Sequence, residues 1–104
     1  NEINMYNHWG TDANPQQAGL EWTGPDFSAG WHTFGIDWEP DHITWYVDGV
    51  ARRTFVAGSD KIPNKPMYLI LNLAVGGDWP GAPTASTPFP SSMDVDYVRV
   101  WKKS

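Results

Sequence analysis

Apolar and polar side chains alternate with a period of two along much of the chain, the spacing of a strand that turns one face to a core. In Trp31 to Glu39, residues His32, Phe34, Ile36 and Trp38 share one face, and Thr33, Asp37 and Glu39 share the other. Pro40-Asp41 turns the chain into His42 to Val47, where Ile43, Trp45 and Val47 alternate with Thr44 and Tyr46. Asp48-Gly49 follows, and an Asp-Gly pair between strands is a strong hairpin signal. The return through Val50 to Val56 makes Trp31 to Val56 a predicted three-stranded antiparallel meander.

After a polar loop, Met67 to Val75 is nearly continuous in apolar residues and reads as a central strand. Met67, Leu69, Leu71 and Leu73 lie on one face; Tyr68, Ile70 and Asn72 lie on the other. Gly76 to Ser92 carries Gly-Gly and four prolines, the composition of a long loop. Met93 to Trp101 and Ile3 to Trp9 read as further strands by their Val, Tyr, Trp and Ile content. No helix of useful length, internal repeat or heptad is present. The expected fold is therefore all-β: an antiparallel sandwich of six or so strands over residues 1–104. Its terminal strand Ile3 to Trp9 would leave an open edge, and open edges invite pairing with another chain. An incomplete or partner-completed sandwich is the expectation.

Composition narrows the function. The chain has 104 residues, 40% of them apolar, which suits one small domain burying roughly 60 to 70% of its unfolded surface. Twelve acidic and seven basic side chains give a net charge of −5. The basic pairs are Arg52-Arg53 and Lys102-Lys103, too few for phosphate binding, so a nucleic-acid partner is not expected. No apolar run approaches the roughly 20 residues of a membrane-spanning helix. With no cysteine, thiol catalysis, disulfides and thiolate metal sites are excluded. The start, Asn1-Glu2-Ile3-Asn4, has neither an initiator methionine nor a signal sequence, and suggests a piece of something longer.

Three segments carry a resemblance: GWHTFGIDWEPDHITWYVDGV (Gly30 to Val50), PMYLILNLAVGGDWPG (Pro66 to Gly81) and MDVDYVRVW (Met93 to Trp101). Together they resemble glycoside hydrolase family sixteen, most closely its endo-β-1,3-glucanase (laminarinase) branch. The resemblance implies the C-terminal half of a β-jelly-roll that hydrolyses β-1,3 or β-1,3-1,4 glucan with retention. It further implies an extracellular location, since glucan polymers lie outside cells. The family motif Glu-x-Asp-x-x-Glu supplies nucleophile, assisting Asp and acid/base, and retention needs two carboxyls about 5 to 5.5 Å apart.

Two registers are open for the N-terminal strand. In the first, Glu2-Ile3-Asn4-Met5-Tyr6-Asn7 occupies the motif, keeps its first carboxylate and replaces the other two with amides. In a flat strand Glu2 and Asn4 then share a face while Asn7 points away, unless a bulge brings it back. In the second, Met5 to Gly10 resembles the next strand of the family and the catalytic strand lies upstream. The short interval between Asn7 and Trp31 favours the second. In both, no pair of ionisable carboxylates stands in the catalytic arrangement, and no catalytic residue is assigned. Glu2 reads most simply as a solvated terminal side chain. Glu21, Glu39, Asp37, Asp41 and Asp48 are accounted for by turns and polar strand faces.

Candidate sugar contacts are His8, Trp9, Asn72 and Trp79. An indole presents a flat apolar face to a sugar ring and a donor to its hydroxyls. Trp79 stands in a Gly- and Pro-bounded loop, and Trp9 follows His8 at a strand end before Gly10. Trp38 and Trp45, on apolar strand faces, are expected in the core. Asn72 interrupts an apolar strand, where an amide either lines a wet cleft or ties neighbouring strands. The three histidines lack zinc-site spacing. Asp96 matches the family position whose carboxylate binds a structural calcium, with the other ligands coming from upstream backbone. Rival readings are a non-catalytic β-glucan-binding module, and a structural half-sandwich that self-associates or pairs with a missing N-terminal half.

Overall fold

The computed structural model describes residues 1–103, and these contain strands and turns but no helix. The strands are β1 (Glu2–Thr11), β2 (Asn14–Thr23), β3 (Phe34–Glu39), β4 (His42–Val47) and β5 (Val50–Val56). They form two antiparallel sheets, a β1-β2 ribbon and a β3-β4-β5 meander. The chain divides into two compact units, Asn1–Pro66 with all five strands and a second from Met67 onward.

The meander follows the alternation in the sequence. Phe34, Ile36 and Trp38 pair with Val47, Trp45 and Ile43, which places all six on one face. Asp48 and Gly49 take φ of 52° and 78°, the left-handed pair of a type I′ turn, which matches the twist of the strands it joins. Between Trp45 and Tyr46 the β4-β5 register slips by one residue, so that Arg53 pairs with Trp45 and Ala51 with Tyr46. The bulged residue is Arg52, whose guanidinium lies 4.2 Å from the centre of the Trp22 ring on β2.

The core lies between the two sheets. Met5 from β1, Ile43, Trp45 and Val47 from β4, and Ile62 are buried together, with Ile3, Trp22, Phe27, Phe55 and Ala57 packed around them. Full burial of an aliphatic side chain such as Met5, Val47 or Ile62 stabilises the unit by about 1.5 to 3 kcal/mol relative to exposure. A two-stranded ribbon is marginal alone, and β1-β2 is held because Ile3, Met5, Asn7 and Trp9 alternate onto this core.

Four sequence expectations are corrected. A ten-residue strand, β2, occupies the interval left without an element. The third strand begins at Phe34, not Trp31, whose side chain is exposed. Trp38 shares the core-facing side of the meander yet is 46% exposed, because the buried cluster centres on β4. Met67 to Val75 and Met93 to Trp101 join no sheet, and their large apolar side chains are exposed. Strand-forming composition makes a strand only where a neighbouring edge accepts its N–H and C=O groups, and within its own unit neither segment has one.

Candidate functional site

β1 decides what the N-terminal segment can do. Its ladder with β2 runs without a break from Glu2 opposite Thr23 to Thr11 opposite Asn14. Successive side chains therefore alternate strictly, and no bulge re-aims any of them. Glu2, Asn4, Tyr6 and His8 face outward; Ile3, Met5, Asn7 and Trp9 face the core.

Asn7 is 5% exposed, and its Nδ2 donates to the Lys61 carbonyl at 2.8 Å. It is a buried amide that ties β1 to the loop after β5. Glu2 and Asn4 stand on the other side, exposed, with Asn4 Nδ2 donating to Glu2 Oε1 at 3.5 Å, the edge of hydrogen-bonding range. The three positions of the Glu-x-Asp-x-x-Glu spacing are thus split between two faces, and two of the three cannot ionise. Glu21 adds a second carboxylate to the outer face, opposite Asn4. Both glutamates are exposed to solvent.

β2 also bears on the choice between registers. The interval between Asn7 and Trp31 holds the end of β1, one full strand and a turn, where the sequence reading finds too little room for the family's strand, turn and strand after the catalytic motif. The resemblance of Met5 to Gly10 to the strand that follows the catalytic one does not depend on this interval.

The outer face carries a feature that the sequence reading missed. Tyr6 and Gly19 are cross-strand partners, and a Cβ built on Gly19 would collide with Cγ, Cδ1 and Cδ2 of the Tyr6 ring. The ring therefore lies across the glycine backbone. Beside it is the His8 imidazole, with centroids 6.3 Å apart and planes 30° apart. Gln17 stands opposite His8. The second half of β2 shows in the sequence as Ala18, Leu20 and Trp22 alternating with Gly19, Glu21 and Thr23, but the pairing of Tyr6 with Gly19 does not.

The sequence-derived candidates do not converge on one face. His8 is exposed on the outer face. Trp9 points inward, stacked on Phe55 at 5.8 Å with the Lys61 ammonium 5.9 Å from its ring. Asn72 and Trp79 belong to the second unit, and both are exposed. Trp79 sits in a turn after Gly76 and Gly77, both at positive φ, and Gly81 N–H donates to the Gly77 carbonyl at 3.0 Å. Asp96 is exposed in the same unit. Among the described residues no three His, Asp or Glu side chains gather as metal ligands. Calcium takes about six to eight oxygens, so a calcium at Asp96 would need most of its ligands from groups other than acidic side chains of the described residues.

Three acidic or basic groups depart from their ordinary behaviour. The His32 ring holds the Asp48 carboxyl below the usual range, helped by the Thr33 N–H. Ser28 does the same for Asp26 through its hydroxyl and N–H. His42 is raised, first by its hydrogen bond to Asp41 and then, against some desolvation, by the charges of Asp41, Asp37 and Glu39.

Comparison with known proteins settles the kinship of this arrangement. Residues 2–99 match the family model of Glycosyl hydrolases family 16. The chain belongs to this family. Among its relatives, glucan endo-1,3-beta-glucosidase A1 of Niallia circulans is 38% identical over 91 residues, covering 77% of this chain and 13% of that protein. The clotting factor G alpha subunit of Tachypleus tridentatus is 30% identical, covering 97% of this chain and 17% of that protein. A beta-glucanase of Paenibacillus macerans is 38% identical over 71 residues, covering 68% of this chain and 30% of that protein. The chain thus matches well under half the length of each of these relatives. No solved structure matches it. The partial antiparallel sandwich of β1 to β5 is consistent with the jelly-roll of glycosyl hydrolases family 16.

Proposed function

We propose that this family 16 chain forms part of a β-glucan-binding surface and that its own residues do not hydrolyse the glycosidic bond. One observation carries the reading. Asn7 is locked into the core by the Lys61 carbonyl while Glu2 faces solvent on the opposite side of an unbroken strand. Retaining hydrolysis needs nucleophile and acid to project into one cleft and flank the scissile bond, about 5 to 5.5 Å apart. An amide on the wrong face meets neither condition, and endo-β-1,3 or β-1,3-1,4 cleavage by a protein containing this chain would take its carboxylates from other sequence. The relatives that are glucanases support β-glucan as the polymer bound.

Of the sugar contacts expected from sequence, His8 on the outer face of β1 and Asn72 and Trp79 in the second unit remain accessible and are proposed as contacts within their own units. An extracellular setting is part of the proposal, since the polymer lies there. So is self-association, or pairing with an N-terminal half, because the core-facing side of β3 and the apolar positions of Met67 to Val75 are exposed.

Incubation of the chain with laminarin or barley mixed-linkage glucan is expected to release no reducing sugar above the buffer blank, while titration calorimetry with laminari-oligosaccharides records binding. Turnover by the purified chain would refute the absence of hydrolysis. Absence of heat, together with no co-sedimentation with insoluble β-1,3-glucan, would refute the binding surface.

A further inference from the structure

We propose that Tyr6, laid across Gly19 and continued by His8, is the platform on which a glucan pyranose ring stacks, an assignment that rests on the β-glucan reading above. Stacking on a sugar needs an aromatic face that lies along a surface, where a ring standing on edge offers little area. Tyr6 is held in the flat orientation by what is absent opposite it. Gly19 has no side chain, and any Cβ there would occupy the volume of the ring. The imidazole of His8, two residues on and tilted by 30°, extends the flat area along the strand.

The polar surroundings match the other half of sugar recognition. A pyranose is apolar on its faces and carries its hydroxyls around the rim, so a stacking ring is useful when donors and acceptors border it. Asn4 lies two residues before Tyr6, with Glu21 opposite it, and Gln17 stands opposite His8. All three side chains are exposed. The face so formed has aromatic rings at its centre and is bordered by amides and a carboxylate, which favours an uncharged glycan over an anionic one. Its residues are supplied by β1 and β2 alone, an unbroken ladder held to the core by Met5.

A purely structural role is the rival: an aromatic ring can cover a cross-strand glycine simply to shield its backbone. The two roles separate in binding measurements on the full chain. With laminarihexaose as probe, Tyr6→Ala is expected to weaken affinity by about tenfold or more, the scale of one lost aromatic stacking contact. Tyr6→Phe keeps the ring and is expected to stay within about threefold, the worth of one hydroxyl hydrogen bond. Gly19→Ala, which lifts the ring, is expected to weaken binding while the thermal transition is retained.

A readout independent of the folding of Tyr6→Ala is NMR titration of the wild-type chain, with the Tyr6 and His8 ring protons expected to shift on addition of laminarihexaose. Wild-type affinity in a folded Tyr6→Ala variant, or unmoved Tyr6 ring signals at saturation, would overturn the platform while leaving the β-glucan reading intact. A wild-type chain that binds no glucan would overturn both.

Discussion

Asp48 does two things at once. Its backbone, at positive φ, makes the β4-β5 turn, and its carboxylate holds the segment that leads into β3. Oδ2 meets His32 Nδ1 at 2.8 Å, Oδ1 accepts the Thr33 N–H at 2.9 Å, and Asp48 N–H donates to the Thr33 carbonyl at 2.9 Å. His32 is fixed in turn by an edge contact with Phe27, whose ring centroid is 5.0 Å away. The lowered proton affinity of Asp48 has a definite consequence for stability. The contribution is fully present above the unfolded value of about 3.9 and is lost as pH falls through the lower folded value. Asp26 acts in the same window, whereas His42, being raised, contributes below about pH 6.5 and loses that contribution as pH rises through its folded value. Asp48→Asn isolates the first effect, because Asn tolerates the left-handed turn position but cannot ionise. The melting temperature of this variant is expected to fall less steeply below about pH 4 than that of the wild type. Parallel melting curves down to pH 2.5 would remove Asp48 as an acid-sensitive tie.

Among the elements, β4 is the structural centre, since three of its six residues supply most of the buried cluster. Ile43→Ala is expected to lower unfolding stability by about 2 to 5 kcal/mol, the range for deleting a buried aliphatic side chain. Ile36→Ala, on the same face but 64% exposed, is expected to cost within about 0.5 kcal/mol. Urea titrations of the two variants check this, and equal losses would mean that the face of β3 is covered in solution. The contrast also marks how far the sequence reveals these elements. The parity of β3 and β4 is legible because turn signals, Pro40-Asp41 and Asp48-Gly49, bracket an alternating run. Which of two like-patterned strands is buried is set by what packs against it, and alternation does not carry that information. β2 escapes a reading by composition because its first half, Asn14-Pro15-Gln16-Gln17, is turn-like and polar. The opposite orientations of Glu2 and Asn7 follow from strand parity once β1 is continuous. Whether a bulge interrupts β1 depends on the pairing with β2, so it could not be read from β1 itself. The Tyr6 platform is likewise a cross-strand feature that spacing within either strand does not display.

At the scale of the whole chain, apolar surface exceeds what a monomer of this size leaves bare. On the meander, Phe34, Ile36 and Trp38 project from the core-facing side and remain exposed. In the second unit Met67, Leu69, Leu71 and Leu73 are exposed in a segment without ladder partners. Soluble monomers rarely show contiguous apolar patches beyond a few hundred square ångströms, and extended segments with free backbone groups pair readily with another edge. Charge does not offset this, since a net −5 at neutral pH is modest and salt above about 0.15 M screens it beyond roughly 8 Å. The chain in isolation is therefore expected to associate with itself, the more so as salt is raised. Light scattering over a tenfold range of concentration checks this through the weight-average mass, with replacement of Leu69 and Leu71 by Lys expected to shift the distribution towards monomer. A wild-type chain that stays monodisperse and monomeric across that range, with one sharp thermal transition, would show that these apolar side chains find cover within a single copy.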